Sequence, residues 1–186
     1  MENFEPEIRS ILEKIEGRPL KNNLVGTPGR FQRAMEELLS GYSIDLDGLF
    51  VTEEDQGQDQ LVIVRNIGFT SLCRHHLLSF SGYAHVGYLP KDRVIGVSKV
   101  VRLVLAYAHR LQLQEQLTKM IAYSLMERLQ PLGVAVVTIA EHSCIRCRGV
   151  RSSQSQVVVS EMLGAFRVNP ELRREFLILT GLGEFR

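Results

Sequence analysis

Two short clusters of soft and basic donors, far apart in the chain, constrain its fold more than anything else in it. Cys73-Arg74-His75-His76 and His142-Ser143-Cys144-Ile145-Arg146-Cys147-Arg148-Gly149 hold all three cysteines and three of the five histidines. Each cluster adjoins an apolar, β-branched run, so a fold that unites them must bring the ends of distant strands together. Three cysteines cannot make a disulfide framework, because an odd count leaves one unpaired. In a reducing compartment, Cys beside His reads first as a metal or reactive site. Zinc takes thiolate and imidazole ligands in a tetrahedral shell, and a catalytic site keeps the fourth place open for water. A Cys and a His three apart on a bent segment can address one ion, and a third ligand from the distant segment would tie the two strand regions together.

Taken singly, each motif has a plainer explanation. A buried Cys is usually a small hydrophobe, and a lone His is usually a satisfied core residue. A closed structural site is a second alternative, using Cys73, His76, Cys144 and Cys147. The Cys144-x-x-Cys147 spacing allows it, and it would leave no position for chemistry. A zinc deaminase is excluded, because its His-x-Glu followed by Pro-Cys-x-x-Cys is absent.

The periodicity along the chain sets these clusters in an α+β frame. Ile8, Ile11, Leu12 and Ile15 fall at helical spacing within residues 5–16, with Gly17 as a stop. Thr27-Pro28 reads as an N-cap with Pro at the first helical position, and the helix should run to about Leu39. The stretch SIDLDGLFVTEEDQGQDQ is acidic and loop-like, with no linker long enough to mark a domain boundary. LVIVRNIGF and FSGYAHVGYLP partly alternate and are rich in strand formers. Ser98 reads as the N-cap of a helix through about His109. A second helix should span Gln114 to Leu129, with Leu117, Ile121 and Leu125 four apart. Gly133–Ala140 and Gln156–Ser160 read as strands, and Pro170–Leu179 as a final helix. This grouping favours antiparallel strands over a βαβ repeat.

Composition narrows the function. Of the 186 residues, 45% are hydrophobic and 23% charged. That is enough apolar content for a sizeable core. The formal charge of +1 lacks the basic excess of many nucleic-acid binders, so no nucleic-acid partner is expected. Apolar runs fall short of the ~18 residues a membrane span needs. The acidic start MENFEPEIRS lacks a signal-peptide layout, so the expectation is a cytoplasmic protein without membrane association.

With these motifs in place, the sequence resembles the GTP cyclohydrolase I family from about Ile8 to Phe176. The resemblance rests on Thr27-Pro28-x-Arg30, Cys73-x-His75-His76, Pro90-Lys91-Asp92 and Ile95-Gly96-Val97-Ser98-Lys99-x-x-Arg102. It extends through Gln112-x-Gln114-Glu115-x-Leu117-Thr118 and His142-x-Cys144-x-x-x-Arg148-Gly149. It implies conversion of GTP, or a close purine nucleotide, to 7,8-dihydroneopterin triphosphate with release of formate. It also implies a T-fold: an antiparallel sheet with helices on one side, joined between subunits into a barrel. The homo-oligomer is typically a decamer of two pentamers, with active sites at subunit interfaces. On this reading residues 1–50 form an N-terminal helical segment and 51–186 the T-fold domain, together one structural unit.

The resemblance also assigns roles. Cys73, His76 and Cys144 would ligate Zn2+, with Cys147 left outside the shell. His142 would protonate the purine N7, a task for a group titrating near neutral pH. His75 would assist proton transfer around the attacking water. Lys99, Arg102, Arg148 and Arg30 would bind the triphosphate, with Arg33 in support and Arg30 serving a neighbouring subunit's site. Lys99 and Arg102 also lie three apart on one helical face, near a helix start that itself favours anions. Glu115 would accept from the guanine N1–H and amino group, Gln114 would add a polar contact, and Ser98 lies where the later sugar chemistry occurs.

One position departs from the family pattern, which has Glu where this chain has Arg74. Three outcomes follow from that change. A compensating partner could leave activity intact, the reaction could stop early or take another purine nucleotide, or the chain could keep the fold and only bind nucleotide. A buried unpaired guanidinium would be costly, so Arg74 is expected to be exposed or paired.

Overall fold

A computed structural model describes residues 2–21, 23–50, 52–54 and 60–183. The chain opens with α1 (Glu5–Glu16) and α2 (Thr27–Leu38), followed by short 3-10 turns at Ser40–Ser43 and Asp47–Phe50. Strands β1 (Thr52–Glu54), β2 (Val62–Cys73), β3 (Ser79–Leu89) and β4 (Arg93–Ile95) come next. Then follow α3 (Val97–Ala108), β5 (Leu111–Gln112), α4 (Gln114–Leu129), β6 (Gly133–His142) and α5 (Ser143–Arg146). Strand β7 (Val157–Gly164) and helices α6 (Ala165–Val168) and α7 (Pro170–Thr180) close the chain. The five-stranded sheet runs β5-β2-β3-β6-β7, antiparallel except for the short β2–β5 pair, while β1 and β4 form a separate ribbon. The α+β class with mainly antiparallel strands is therefore present.

Two expected helix starts move. The N-cap of α2 is Gly26, and the Thr27 Oγ1 accepts from Arg30 instead of capping. The N-cap of α3 is Gly96, which leaves Ser98 exposed within the first turn. Pro28 presets the backbone of the first start. At the second, the Lys99 amide donates to the Gly96 carbonyl, so neither hydroxyl is needed as a cap. The acidic stretch also contains the 3-10 turn Asp47–Phe50 and β1, and Ser143–Arg146 forms a helical turn that has no periodic signal.

Strand alternation sorts the core into two layers. Val134, Val136 and Ala140 of β6 join Phe80, Val86 and Tyr88 of β3 beneath α3 and α4. Leu103, Val104, Leu117, Ile121 and Leu125 complete that layer and are fully enclosed. The alternate residues Ala135 and Val137 turn to the other face, where Phe166 and Phe176 cover them. Helices thus lie on both faces: α3 and α4 on one, α6 and α7 on the other. The expected single helical side is modified because β6 is apolar on both faces, and each face needs a cover. Close approach is built in at Gly41, where an added Cβ would collide with the Ala106 carbonyl oxygen. Gly41 also donates to the His109 carbonyl, which pins the N-terminal segment to α3.

A bulge in β2 sets the geometry of everything after it. Val64 pairs with Val86 and Ile67 with Ala84, so Arg65 and Asn66 together oppose the single residue His85. Asn66 has φ 57°. This is a left-handed conformation that Asn tolerates better than most residues. Before the bulge Val62 and Val64 pack toward α3 and α4; after it Ile67, Phe69 and Cys73 do. The extra residue shifts the parity of the strand and places Cys73 on the helical face.

Candidate metal centre and active site

The turn joining β2 to β3 is held by its own backbone. His76 and Leu77 donate to the Cys73 carbonyl, and Cys73 donates to the Leu78 carbonyl. Leu77 takes φ 55°, which tightens the reversal. The turn aims Cys73 Sγ and His76 Nδ1 at each other across 3.9 Å. The Arg74 amide donates to the Gln112 carbonyl, tying this turn to the start of α4.

The second cluster arrives through sheet pairing. Phe80, at the start of β3, lies opposite His142, at the end of β6. The Ser79 and Ser143 hydroxyls meet at 3.2 Å, and α5 begins there. This brings Cys144 to the turn, and the ligand atoms of Cys73, His76 and Cys144 all lie within 4.8 Å of one another. Two thiols and an imidazole form a borderline-soft donor set, suited to a tetrahedral ion with one place left over. Burial pushes the Cys144 thiol up, the neighbouring Cys73 adds to this, and Arg148 pulls the other way. Cys147 is exposed, and its Sγ donates to the Ser143 carbonyl, 2.9 Å away. Among the described residues it is not part of the donor group.

His142 stands beside that group. Its ring stacks on Phe80 with centroids 4.6 Å apart and planes 4° from parallel. Its Nε2 lies 2.8 Å from Gln114 Oε1. Burial lowers the His142 pKa, and the Glu115 carboxylate opposes that by raising it, so Glu115 acts on this imidazole from the first turn of α4. His75 is exposed and meets the His76 ring edge-on at 6.1 Å.

The remaining candidates fall into two groups. Glu115 and Arg148 exert their charge on the His142–Cys144 segment, and both are exposed. Arg30 instead bonds within its own helix start, to Thr27 Oγ1 and the Asn23 carbonyl, and Arg33 is exposed on the same helix. Ser98 and Arg102 are exposed on α3, with Lys99 half-buried between them in sequence. Gln114, expected to touch the base, is only 1% exposed and its amide is already engaged within the chain. Arg74 is exposed and donates to Gln116 Oε1 at 3.0 Å, a neutral partner.

Reasoning from the sequence did not find Phe80, Thr118, Thr138 or Gln116 as parts of this site. Thr118 lay inside a recognised motif, but nothing in the motif showed that its hydroxyl turns inward to Gln114 and Thr138.

With this geometry described, comparison with known proteins is informative. The profile of the GTP cyclohydrolase I family matches residues 4–181. GTP cyclohydrolase 1 of Leptospira biflexa serovar Patoc is 44% identical over 187 residues, covering 98% of this chain and 99% of that protein. GTP cyclohydrolase 1 of Alkalilimnicola ehrlichii is 47% identical, covering 96% and 97% respectively. The Homo sapiens GTP cyclohydrolase 1 is 42% identical, covering 95% of this chain and 71% of the human protein. A match of this extent, over a chain that gathers Cys73, His76 and Cys144 beside His142, places the protein in the GTP cyclohydrolase I family.

Proposed function

We propose that this chain is a GTP cyclohydrolase I-type hydrolase, opening the imidazole ring of GTP at C8, releasing formate and yielding 7,8-dihydroneopterin triphosphate. The observation that carries this reading is the three-donor group beside the His142–Glu115 pair, in a chain of this family. Cys73, His76 and Cys144 hold Zn2+. Zinc bound there supplies the Lewis acidity that makes water a nucleophile near neutral pH. His142 donates a proton at the purine N7, which makes C8 a better electrophile. His75, beside His76, moves protons between the attacking water and the opening ring. Glu115 accepts from the guanine N1–H and 2-amino group and so selects the base. Lys99, Arg102 and Arg148 hold the triphosphate, with Arg30 and Arg33 contributed by a neighbouring copy. Ser98 acts in the sugar rearrangement that precedes closure of the pterin ring. Ligating thiolates must stay reduced, which suits a cytoplasmic location.

The same reading includes a homo-oligomer, a decamer of two pentamers, with residues 1–50 and 51–186 acting as one unit in each subunit. Several features support it. Among the described residues, β7 has no partner on its outer edge, and β2 is paired there only at Leu72 and Cys73. Unpaired edges of this length are a hazard in a monomer. The α1 residues Ile11 and Ile15 are 50% and 71% exposed. They form an apolar stripe without a cover among the described residues. The site has an open side: the donor His76 and the neighbouring His75 are exposed, so water exclusion during catalysis requires another subunit.

Incubating zinc-loaded protein with GTP and identifying the products by mass spectrometry tests the activity. The expected result is the dihydroneopterin triphosphate mass with one formate released per GTP. Formate without ring closure would assign the chain to the shortened reaction that Arg74 raises as an alternative. An unchanged GTP pool would reject the enzyme reading.

A further inference from the structure

Gln114 sits where a substrate contact was expected, yet it is among the most enclosed polar side chains in the protein. Its Nε2 donates to the Thr138 carbonyl at 3.1 Å and the Val157 carbonyl at 2.9 Å, and Thr138 Oγ1 lies 3.1 Å away. Carbonyl oxygens only accept, so the amide nitrogen must face them. A flipped amide would set three oxygens against one another with no hydrogen between the carbonyl pairs. The hydroxyls do not relieve this. Thr118 donates to the Gln114 backbone carbonyl at 2.8 Å, and the Thr138 hydroxyl hydrogen goes to Thr118 Oγ1 at 2.7 Å. Every hydrogen of the network is then spoken for, and its direction is fixed by the two carbonyls.

The consequence falls on His142. Gln114 Oε1 can only accept, and the His142 Nε2 stands 2.8 Å from it, so that nitrogen must carry the hydrogen. Stacking on Phe80 fixes the plane of the ring, and this hydrogen bond fixes its rotation within the plane. Nδ1 has no hydrogen-bond partner among the described residues and is not a buried orphan.

We propose that Gln114 is the positioning residue of His142: its buried amide holds the ring hydrogen on Nε2 and leaves Nδ1 as the nitrogen that meets the substrate. This holds in both charge states of the ring, since Nε2 keeps its hydrogen in each. The proposal rests on the role given to His142 above, and it removes Gln114 from the contacts that recognise guanine. Glu115, its neighbour, is exposed and keeps that task, so consecutive residues at the start of α4 divide the work between ring and base.

The first test needs no variant. Nitrogen-15 magic-angle-spinning spectra of zinc-loaded protein with labelled histidine report which ring nitrogen of His142 is protonated, with His142→Asn identifying the signal. The neutral ring is expected as the Nε2–H tautomer, and an Nδ1–H tautomer would overturn the proposal. In Gln114→Met the acceptor is gone, so the spectrum should show mixed tautomers. GTP turnover should show kcat down about 100-fold, the scale of a misplaced acid–base group, with KM moved less than about threefold. A raised KM at unchanged kcat in Gln114→Met would make Gln114 a substrate contact and overturn the proposal. If Gln114→Met does not fold, Thr138→Val removes one hydroxyl and keeps both backbone carbonyls that orient the amide. It should therefore keep the Nε2–H tautomer of His142, and an Nδ1–H tautomer there would overturn the inference. Absence of GTP turnover in the wild-type protein would reject the proposed activity, while the tautomer measurement would still decide the role of Gln114.

Discussion

Arg74 shows how a reversed charge can sit beside a metal group at little cost. Its guanidinium is exposed and shares a hydrogen bond with neutral Gln116, so it is neither desolvated nor dependent on a carboxylate. Its reach is then that of a solvated cation at the edge of a site for a polyanion. Arg74→Glu is expected to keep zinc and folding, raise KM for GTP and flatten the dependence of kcat/KM on ionic strength. Metal analysis and kinetics at two salt concentrations check this, and loss of zinc would show a structural role. Cys144 lies in a different situation, as the proposed ligand on α5 that meets the β2–β3 turn. Cys144→Ser should lose stoichiometric zinc by elemental analysis while circular dichroism stays close to wild type. Full zinc retention would move the ligand set elsewhere, with Cys147 as the first replacement to examine.

Among the elements, β3 carries a residue with no role in the chemistry that nonetheless titrates with folding. His85 is 4% exposed and its Nδ1 has no hydrogen-bond partner among the described residues. Burial lowers its pKa, and the Arg65 charge across the bulge lowers it further. A folded pKa below the unfolded value of about 6.5 means that the unfolded chain takes the proton first. The contribution of His85 is therefore complete above about pH 6.5 and is lost as pH falls below that toward the depressed folded value. Urea midpoints measured between about pH 8 and pH 5 should fall on acidification, and less steeply in His85→Phe. Equal slopes in the two proteins would remove His85 from the linkage. The elements also show what could be read in advance. Helix α4 was readable to the residue, because Leu117, Ile121 and Leu125 repeat on one buried face. The bulge was not, since a single left-handed Asn66 leaves no periodic trace in VIVRNIGF. The Cys and His clusters stood out by type and spacing, and the family resemblance then singled out Cys73, His76 and Cys144 among them. The inward turn of Gln114 did not, because an amide serves a substrate or a carbonyl equally well until the tertiary partners are known.

The whole molecule is the scale at which the exposed surfaces make sense. The open outer edge of β7, the uncovered stripe of α1 and the exposed histidines of the turn all belong to one prediction: activity requires assembly. Light scattering on a sizing column should give a mass many times the 21.1 kDa of the chain, and dilution to monomer should abolish turnover. A fully active monomer would contradict this. The extra residue in β2 has a consequence for how such a molecule is made. Ile67, Phe69 and Cys73 share one parity, so a shift that turned Cys73 outward would also expose Ile67 and Phe69, which are 5% and 4% exposed. Exposing two such side chains costs about 1.5–3 kcal/mol each. The greasy interior therefore stands guard over the orientation of the Cys73 thiol. On the proposed ligation, the packing of its own strand aims the thiol, so binding a metal asks for no rearrangement of β2.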